Sequence, residues 1–161
     1  MLKKTVLSIV LIAACIGAAF SQSVPAVNST APASFFVGSG RQGVISSLRG
    51  ANFNVTTDQA IAIPAQVSAF SITQIVVTNC SVSMTLAVGG FYPTTAKGGT
   101  PIVAATQIYS ALTASTLLLG TTIAATPLVT RYTLSNIYLS LTTAQGAAAT
   151  CDVYVIGVDL T

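Results

Sequence analysis

Residues 70–109, FSITQIVVTNCSVSMTLAVGGFYPTTAKGGTPIVAATQIY, decide the fold class of this chain. In the middle of the stretch Val82, Met84, Leu86 and Val88 alternate with Ser83, Thr85 and Ala87. That is the two-residue period of a strand with one buried and one wet face. Gly89-Gly90 predicts a tight turn after Val88, and Lys97-Gly98-Gly99-Thr100 predicts another before Ile102. The stretch therefore reads as a meander of three consecutive strands. In the third, residues 102–109, the alanines suit a helix, but Pro101, Thr106 and the β-branched Ile102, Val103 and Ile108 favour a strand.

Working outward, residues 35–48 hold a short apolar FFV, a glycine-rich turn and VISSL, two strands by this reading. Residues 52–57 and 60–63 form two more around Thr57-Asp58-Gln59, with Pro64 ending the second. Beyond the meander, residues 117–123 form a short apolar strand. A longer one runs over 128–141, where the apolar phase breaks at Ser135-Asn136 as a bulge would cause. Residues 142–150 are a small-residue loop, and CDVYVIGV, residues 151–158, is apolar on both faces, the mark of an interior strand. Eight or nine short strands, regular turn signals and no amphipathic helix predict an all-β fold. The architecture expected is a single antiparallel β-sandwich, jelly-roll-like, over residues 35–161.

The N-terminus has a different character. Lys3 and Lys4 precede an apolar run over 5–20, and small residues surround Ala19 and Ser21, so residues 1–21 read as a secretory signal. Ile12-Ala13-Ala14-Cys15 also resembles a lipoprotein box in which Cys15 would carry lipid, but the apolar run continuing to Phe20 favours plain cleavage. As an uncleaved anchor the run falls short of the ~20 residues that span a bilayer. Residues 22–34, rich in Pro, Ser and Ala, form a flexible leader. Membrane contact is expected only through this N-terminal segment. Removing Cys15 leaves Cys80 and Cys151 as an even pair in an oxidising compartment. They stand at the end of one predicted strand and the start of another, and either form a bridge or remain two buried thiols.

Composition excludes much chemistry. The chain has 6% charged residues, against about 25% in an ordinary domain, and its net charge of +3 includes Lys3 and Lys4. No basic footprint for nucleic acid is left. Without His or Glu, general acid–base catalysis has only Asp58, Asp152 and Asp159 to draw on, and no histidine activates a serine or cysteine. A glycosidase-type pair among these aspartates is conceivable in composition, but nothing in the spacing brings two together. Neither a metal site nor a cofactor is expected. Gly38-Ser39-Gly40-Arg41-Gln42-Gly43 fits GxGxxG, with Asp58 at about the offset of a ribose-binding acid. A dinucleotide site needs those glycines to open a helix in a βαβ unit, whereas Val44-Ile45-Ser46-Ser47 is a poor helix. Tyr92, Tyr109, Tyr132, Tyr138 and Tyr154 are candidates for a sugar-stacking platform or ordinary strand residues. Asn28, Asn54 and Asn79 head glycosylation sequons.

Residues 72–160 resemble a group of uncharacterised β-rich proteins of tailed bacteriophages and prophages. The resemblance is carried by Ile75-Val76-Val77-Thr78-Asn79, Gly89-Gly90-Phe91-Tyr92, Lys97-Gly98-Gly99-Thr100 and Ile108-Tyr109-Ser110-Ala111-Leu112-Thr113. Above all it rests on residues 139–150, LSLTTAQGAAAT. It implies a virion-associated structural protein, such as a decoration, head-fibre or tail-accessory component, present in multiple copies, and it brings no functional residues with it. A phage particle assembles in the cytoplasm, so the signal points to an exported relative, a cellular protein of phage ancestry or a component of a membrane-associated virus. The expected function is therefore non-enzymatic, acting by self-association or by docking on a protein lattice. The alternative is a secreted binding module, an adhesin or carbohydrate binder.

Overall fold

The computed structural model describes residues 42–113 and 118–161, all within one compact unit, Phe35–Thr161. The signal segment with Cys15, the leader, Asn28 and Gly38 to Arg41 lie outside the described residues. The described residues form seven strands and one helical turn: β1 Gln42–Asn52, β2 Gln59–Ala62, β3 Phe70–Thr78, β4 Val88–Tyr92, β5 Leu118–Gly120, α1 Ala125–Leu128, β6 Asn136–Thr143 and β7 Thr150–Asp159. The fold is all-β, as expected. Its strands form two antiparallel sheets, one in the order β1-β7-β3-β5 and the other β2-β6-β4.

One hydrophobic cluster draws on both sheets. Ile45, Ile72, Ile75, Val77, Val153 and Val155 come from the first, and Ile61, Phe91, Ile137, Leu139 and Leu141 from the second. Each such side chain contributes roughly 1.5–3 kcal/mol on leaving water, so this shared layer is the main force holding the sheets together. Phe53 and Tyr109 pack edge to face in it, with ring centroids 5.0 Å apart. As its apolar composition indicates, β7 is interior, paired with β1 on one side and β3 on the other.

The quoted stretch is built differently from its sequence reading. Residues 70–78 are a strand, but 79–87 are not: Met84 is buried while Val82 and Leu86 are exposed. Their backbone groups bond to side chains and loops instead of a continuous ladder. Gly89 and Gly90 lie inside β4 rather than at a turn. A Cβ on Gly90 would stand 2.2 Å from the Val103 carbonyl, and one on Gly89 would stand 2.4 Å from the Leu141 Cα. These glycines allow two neighbouring backbones to approach β4 closely. The meander is also absent, because β3 and β4 belong to different sheets. The turn before Ile102 does form, with Ala96 and Lys97 at positive φ and Gly98 N–H donating to the Thr95 carbonyl.

Elsewhere, residues 102–109 make only isolated bridges, Val103 to Phe91 and Ile123, and Ile108 to Val88. Residues 42–52 form a single strand, and residues 53–54 turn instead of extending. The long strand expected over 128–141 is divided: Leu128 ends α1, Tyr132 bridges Phe70 on β3, and β6 begins at Asn136. The phase break at Ser135-Asn136 thus marks the passage from one sheet to the other.

Candidate docking surface

The corner between β3, β7 and residues 79–87 is fastened by a covalent link and by side-chain hydrogen bonds. Cys80 and Cys151 form a disulfide, the bridge that the sequence left open, with their Cα atoms 4.1 Å apart. Next to it Asp152 Oδ1 accepts the Gly50 N–H at 2.9 Å, and Oδ2 accepts Asn79 Nδ2 at 3.1 Å. Gly50 occupies the irregularity between Leu48 and Ala51 with φ +66°, a left-handed position suited to glycine. Arg49 Nη1 lies 3.5 Å from Asp152 Oδ2 and its guanidinium sits over the Tyr154 ring, 5.8 Å from the centroid. With the arginine side chain 74% exposed, this ion pair adds less than about 1 kcal/mol. The carboxylate's main role is to cap the Gly50 bulge and the Asn79 turn.

From this corner, residues 79–87 are held by one buried side chain. Gln145 Oε1 accepts the N–H groups of Thr85, Leu86 and Ala87 at 3.0, 3.1 and 3.2 Å. Its Nε2 donates to the Ser83 carbonyl and to Thr85 Oγ1. Met84 plugs into the core and its N–H donates to the Leu112 carbonyl. The result is an irregular segment fixed in place with Val82 and Leu86 facing water. The sequence pattern does not single out Gln145, which lies in what reads as a small-residue loop.

Beyond this segment, residues 102–108 run beside β4, and residues 121–124 run beside them through the Val103–Ile123 bridge. An open groove of about 390 Å³ lies there, lined by Ala104, Thr106, Gln107, Ile108, Thr122 and Ala124. Ile108 is 57% exposed, and Leu86 at 58% stands two residues before Val88, the bridge partner of Ile108. Leu118, on the three-residue edge strand β5, is exposed as well.

Each aspartate is engaged by its own set of partners. Asp58 precedes β2 and accepts the Ala96 N–H at 2.5 Å, tying the 93–100 loop to its sheet. Its carboxyl is held below the ordinary carboxylate range by the neighbouring Ser140 hydroxyl first and then by that N–H, with burial opposing them and Lys97 adding a smaller downward pull. The Ser140 Oγ is fully enclosed and falls short of hydrogen-bond geometry with any partner, so its influence on Asp58 is that of a nearby dipole. Asp152 and Asp159 occupy one strand seven positions apart, roughly 23 Å at 3.3 Å per residue. Asp159 accepts the Thr161 N–H. Among the described residues no group of three His, Cys, Asp or Glu side chains is placed to hold a metal.

The tyrosines do not form a platform. Tyr92, Tyr109 and Tyr132 are buried, while the half-buried Tyr138 and Tyr154 lie on different sheets. Gln42 and Gly43, which end the GxGxxG string, begin β1 rather than a helix. Of the sequon asparagines, Asn79 is engaged by Asp152 beside the disulfide, whereas Asn54 is exposed in a turn. The disulfide fits an oxidising compartment, and among the described residues no helix is long and apolar enough to cross a membrane. In comparisons with known proteins, no family model matches the chain, and no curated protein or solved structure is significantly similar to it.

Proposed function

We propose that the chain is a non-enzymatic structural protein, an exported accessory or decoration component of virion type that works by self-association or by docking on a protein lattice. The observation that carries this reading is the surface. Among the described residues seven large apolar side chains are exposed, Val82, Leu86, Ile108, Leu118, Leu128, Val129 and Leu160, against six charged residues, of which Asp152 and Asp159 are buried. A freely diffusing domain normally relies on interspersed charge to stay apart from its copies and to guard its sheet edges. A subunit of an assembly does not.

The strand pairing supports a jelly-roll sandwich. Counted along the chain, β1 pairs with β7, β2 with β6 and β3 with β5, and β4 is bridged by residues 103 and 108. First with last, second with second-last and so inward is the nesting of a long antiparallel ribbon rolled onto itself, an architecture used by viral capsid and lectin domains. The family resemblance over residues 72–160 points to the capsid side of that pair, and the dispersed tyrosines offer nothing to the lectin side.

Light scattering on the chain without residues 1–21, purified under oxidising conditions, tests the proposal. Discrete oligomers, or stable co-assembly with a phage capsid or tail protein encoded beside it, are expected. A strict monomer at all concentrations that joins no such assembly rules the reading out.

A further inference from the structure

We propose that residues 34–37, SFFV, add a fifth strand to the first sheet by folding back antiparallel onto residues 42–45 of β1 through the turn 38–41, GSGR. The pairing is within one chain and holds whether or not copies associate. Among the described residues β1 ends its sheet, paired with β7 on one side only. On its other side the later part of the strand is tied to β2. The Ser46 hydroxyl donates to the Ala62 carbonyl, and the Gln59 side chain both accepts the Asn52 N–H and donates to the Asn52 carbonyl. Residues 42–45 have no such tie on that side among the described residues, which leaves an edge four residues long.

Both faces of that edge suit the segment. With Val37 opposite Gln42, Phe36 falls opposite Gly43 and Phe35 opposite Val44, and strand alternation sends the two rings to opposite faces. Gly43 lies in the row Gly43, Gly157, Ile72, and Ile72 is fully buried, so this row faces the core. Gly43 ends the row without a side chain, and an aromatic ring from the adjoining strand can lie over it. The outer face is apolar where an antiparallel sheet is usually polar. Val44, Tyr154, Ile156 and Val158 are half-buried there, beside Val76. Phe35 extends the row of Val44 and Ile156 by one strand.

The connection is short enough to favour the chain's own edge over any other. A four-residue turn holds residues 34–37 beside β1 at an effective concentration that a separate copy does not match. Gly38 and Gly40 supply the positive-φ positions that a tight reversal needs, which gives the glycine string a role in the turn. The other phenylalanines beyond residue 21, Phe53, Phe70 and Phe91, are all fully buried, and this pairing shelters Phe35 and Phe36 as well. Residues 42–45 carry no charge, so an open edge there would invite pairing with another chain. Covered in cis it is closed, and contacts between copies lie elsewhere.

Hydrogen exchange read by NMR, at two protein concentrations, tests the pairing on the oxidised chain without residues 1–21. It is compared with Phe36→Asp, with Val27→Asp as a control in the leader, and with a chain lacking residues 22–37. In the parent, the amides of residues 35–37 and those of residues 42–45 directed away from β7 should exchange at least about 100-fold more slowly than in unstructured chain, equally at both concentrations. Phe36→Asp and the deletion should each remove most of the protection on residues 42–45, while Val27→Asp changes nothing and the β3–β7 amides keep theirs throughout. Cross-strand nuclear Overhauser contacts between residues 35–37 and 42–44 are expected in the parent, and their absence overturns the pairing even where a variant fails to fold. Protection on residues 35–37 with residues 42–45 indifferent to the deletion places the segment elsewhere and overturns it too. Protection that grows with concentration means that a second copy supplies the strand, which overturns pairing in cis and leaves the assembly reading standing. A strict monomer showing these contacts keeps the pairing and counts against the assembly reading alone.

Discussion

Gln145 does for residues 83–87 what a neighbouring strand does elsewhere, satisfying three consecutive backbone N–H groups and a carbonyl with one side chain. Gln145→Ala would strand donors in a part-buried site, one of them, the Ala87 N–H, fully buried. Each unsatisfied group costs about 1–3 kcal/mol, reduced where water reaches it. Urea titration should therefore show a loss of about 2–4 kcal/mol with an unchanged slope, and a loss under about 0.5 kcal/mol would contradict the role assigned to Gln145. The same interaction explains why the plainest pattern in the sequence misleads. Val82, Met84, Leu86 and Val88 alternate as a strand would, but the segment's partner is a side chain nearly sixty positions away, and alternation carries no information about that. Gly89-Gly90 misleads for a related reason, since glycine serves close backbone approach as readily as turns. Gly90→Ala should cost about 1–3 kcal/mol or more by driving residues 103–104 off β4. A neutral result in the same titration would mean that those residues yield freely.

Single elements were more legible than their partners. Residues 70–78 and 151–158 carry enough β-branched and apolar character to be strands in any context, and both are. What local pattern does not contain is the sheet to which a strand belongs. Residues 128–141 look continuous because Tyr132, Leu134, Ile137, Leu139 and Leu141 are all apolar. Yet Tyr132 bonds to Phe70 in one sheet and β6 lies in the other. The disulfide was easier to anticipate, because compartment and an even cysteine count restrict it independently of topology. It joins the end of β3 to the start of β7 across a sequence separation of 71. Closing a loop of that length stabilises the fold by roughly 4 kcal/mol in the chain-entropy description. Cys80→Ala combined with Cys151→Ala, compared with the oxidised parent in guanidinium, should lose about that much. A loss below about 1 kcal/mol would show that Gln145 and Asp152 hold the corner unaided.

Across the whole molecule, the scarcity of titratable groups dictates an unusual response to pH. The chain has no His and no Glu, and its paired cysteines do not titrate, so between about pH 5 and 9 almost no side chain changes charge in either folded or unfolded state. Stability should be flat there. On the acid side, Asp58 has a folded pKa below its unfolded value. Its contribution is present above the unfolded pKa of about 4 and is lost as pH falls through the folded one. On the alkaline side, burial raises Tyr109 strongly and raises Tyr92 and Tyr132 as well. The unfolded chain therefore releases those protons first, and stability is full below about pH 10 and declines as pH climbs from there through the folded pKa values. Circular dichroism melts of the chain without residues 1–21 should give a Tm plateau from pH 5 to 9 with falling limbs on both sides. Asp58→Asn should leave the plateau shape intact while making the acid limb shallower, because the amide keeps the 93–100 loop's acceptor but no longer titrates. A Tm step of more than about 5 °C between pH 5.5 and 8.5 would contradict this account, since it requires a titrating group that the folded domain does not contain.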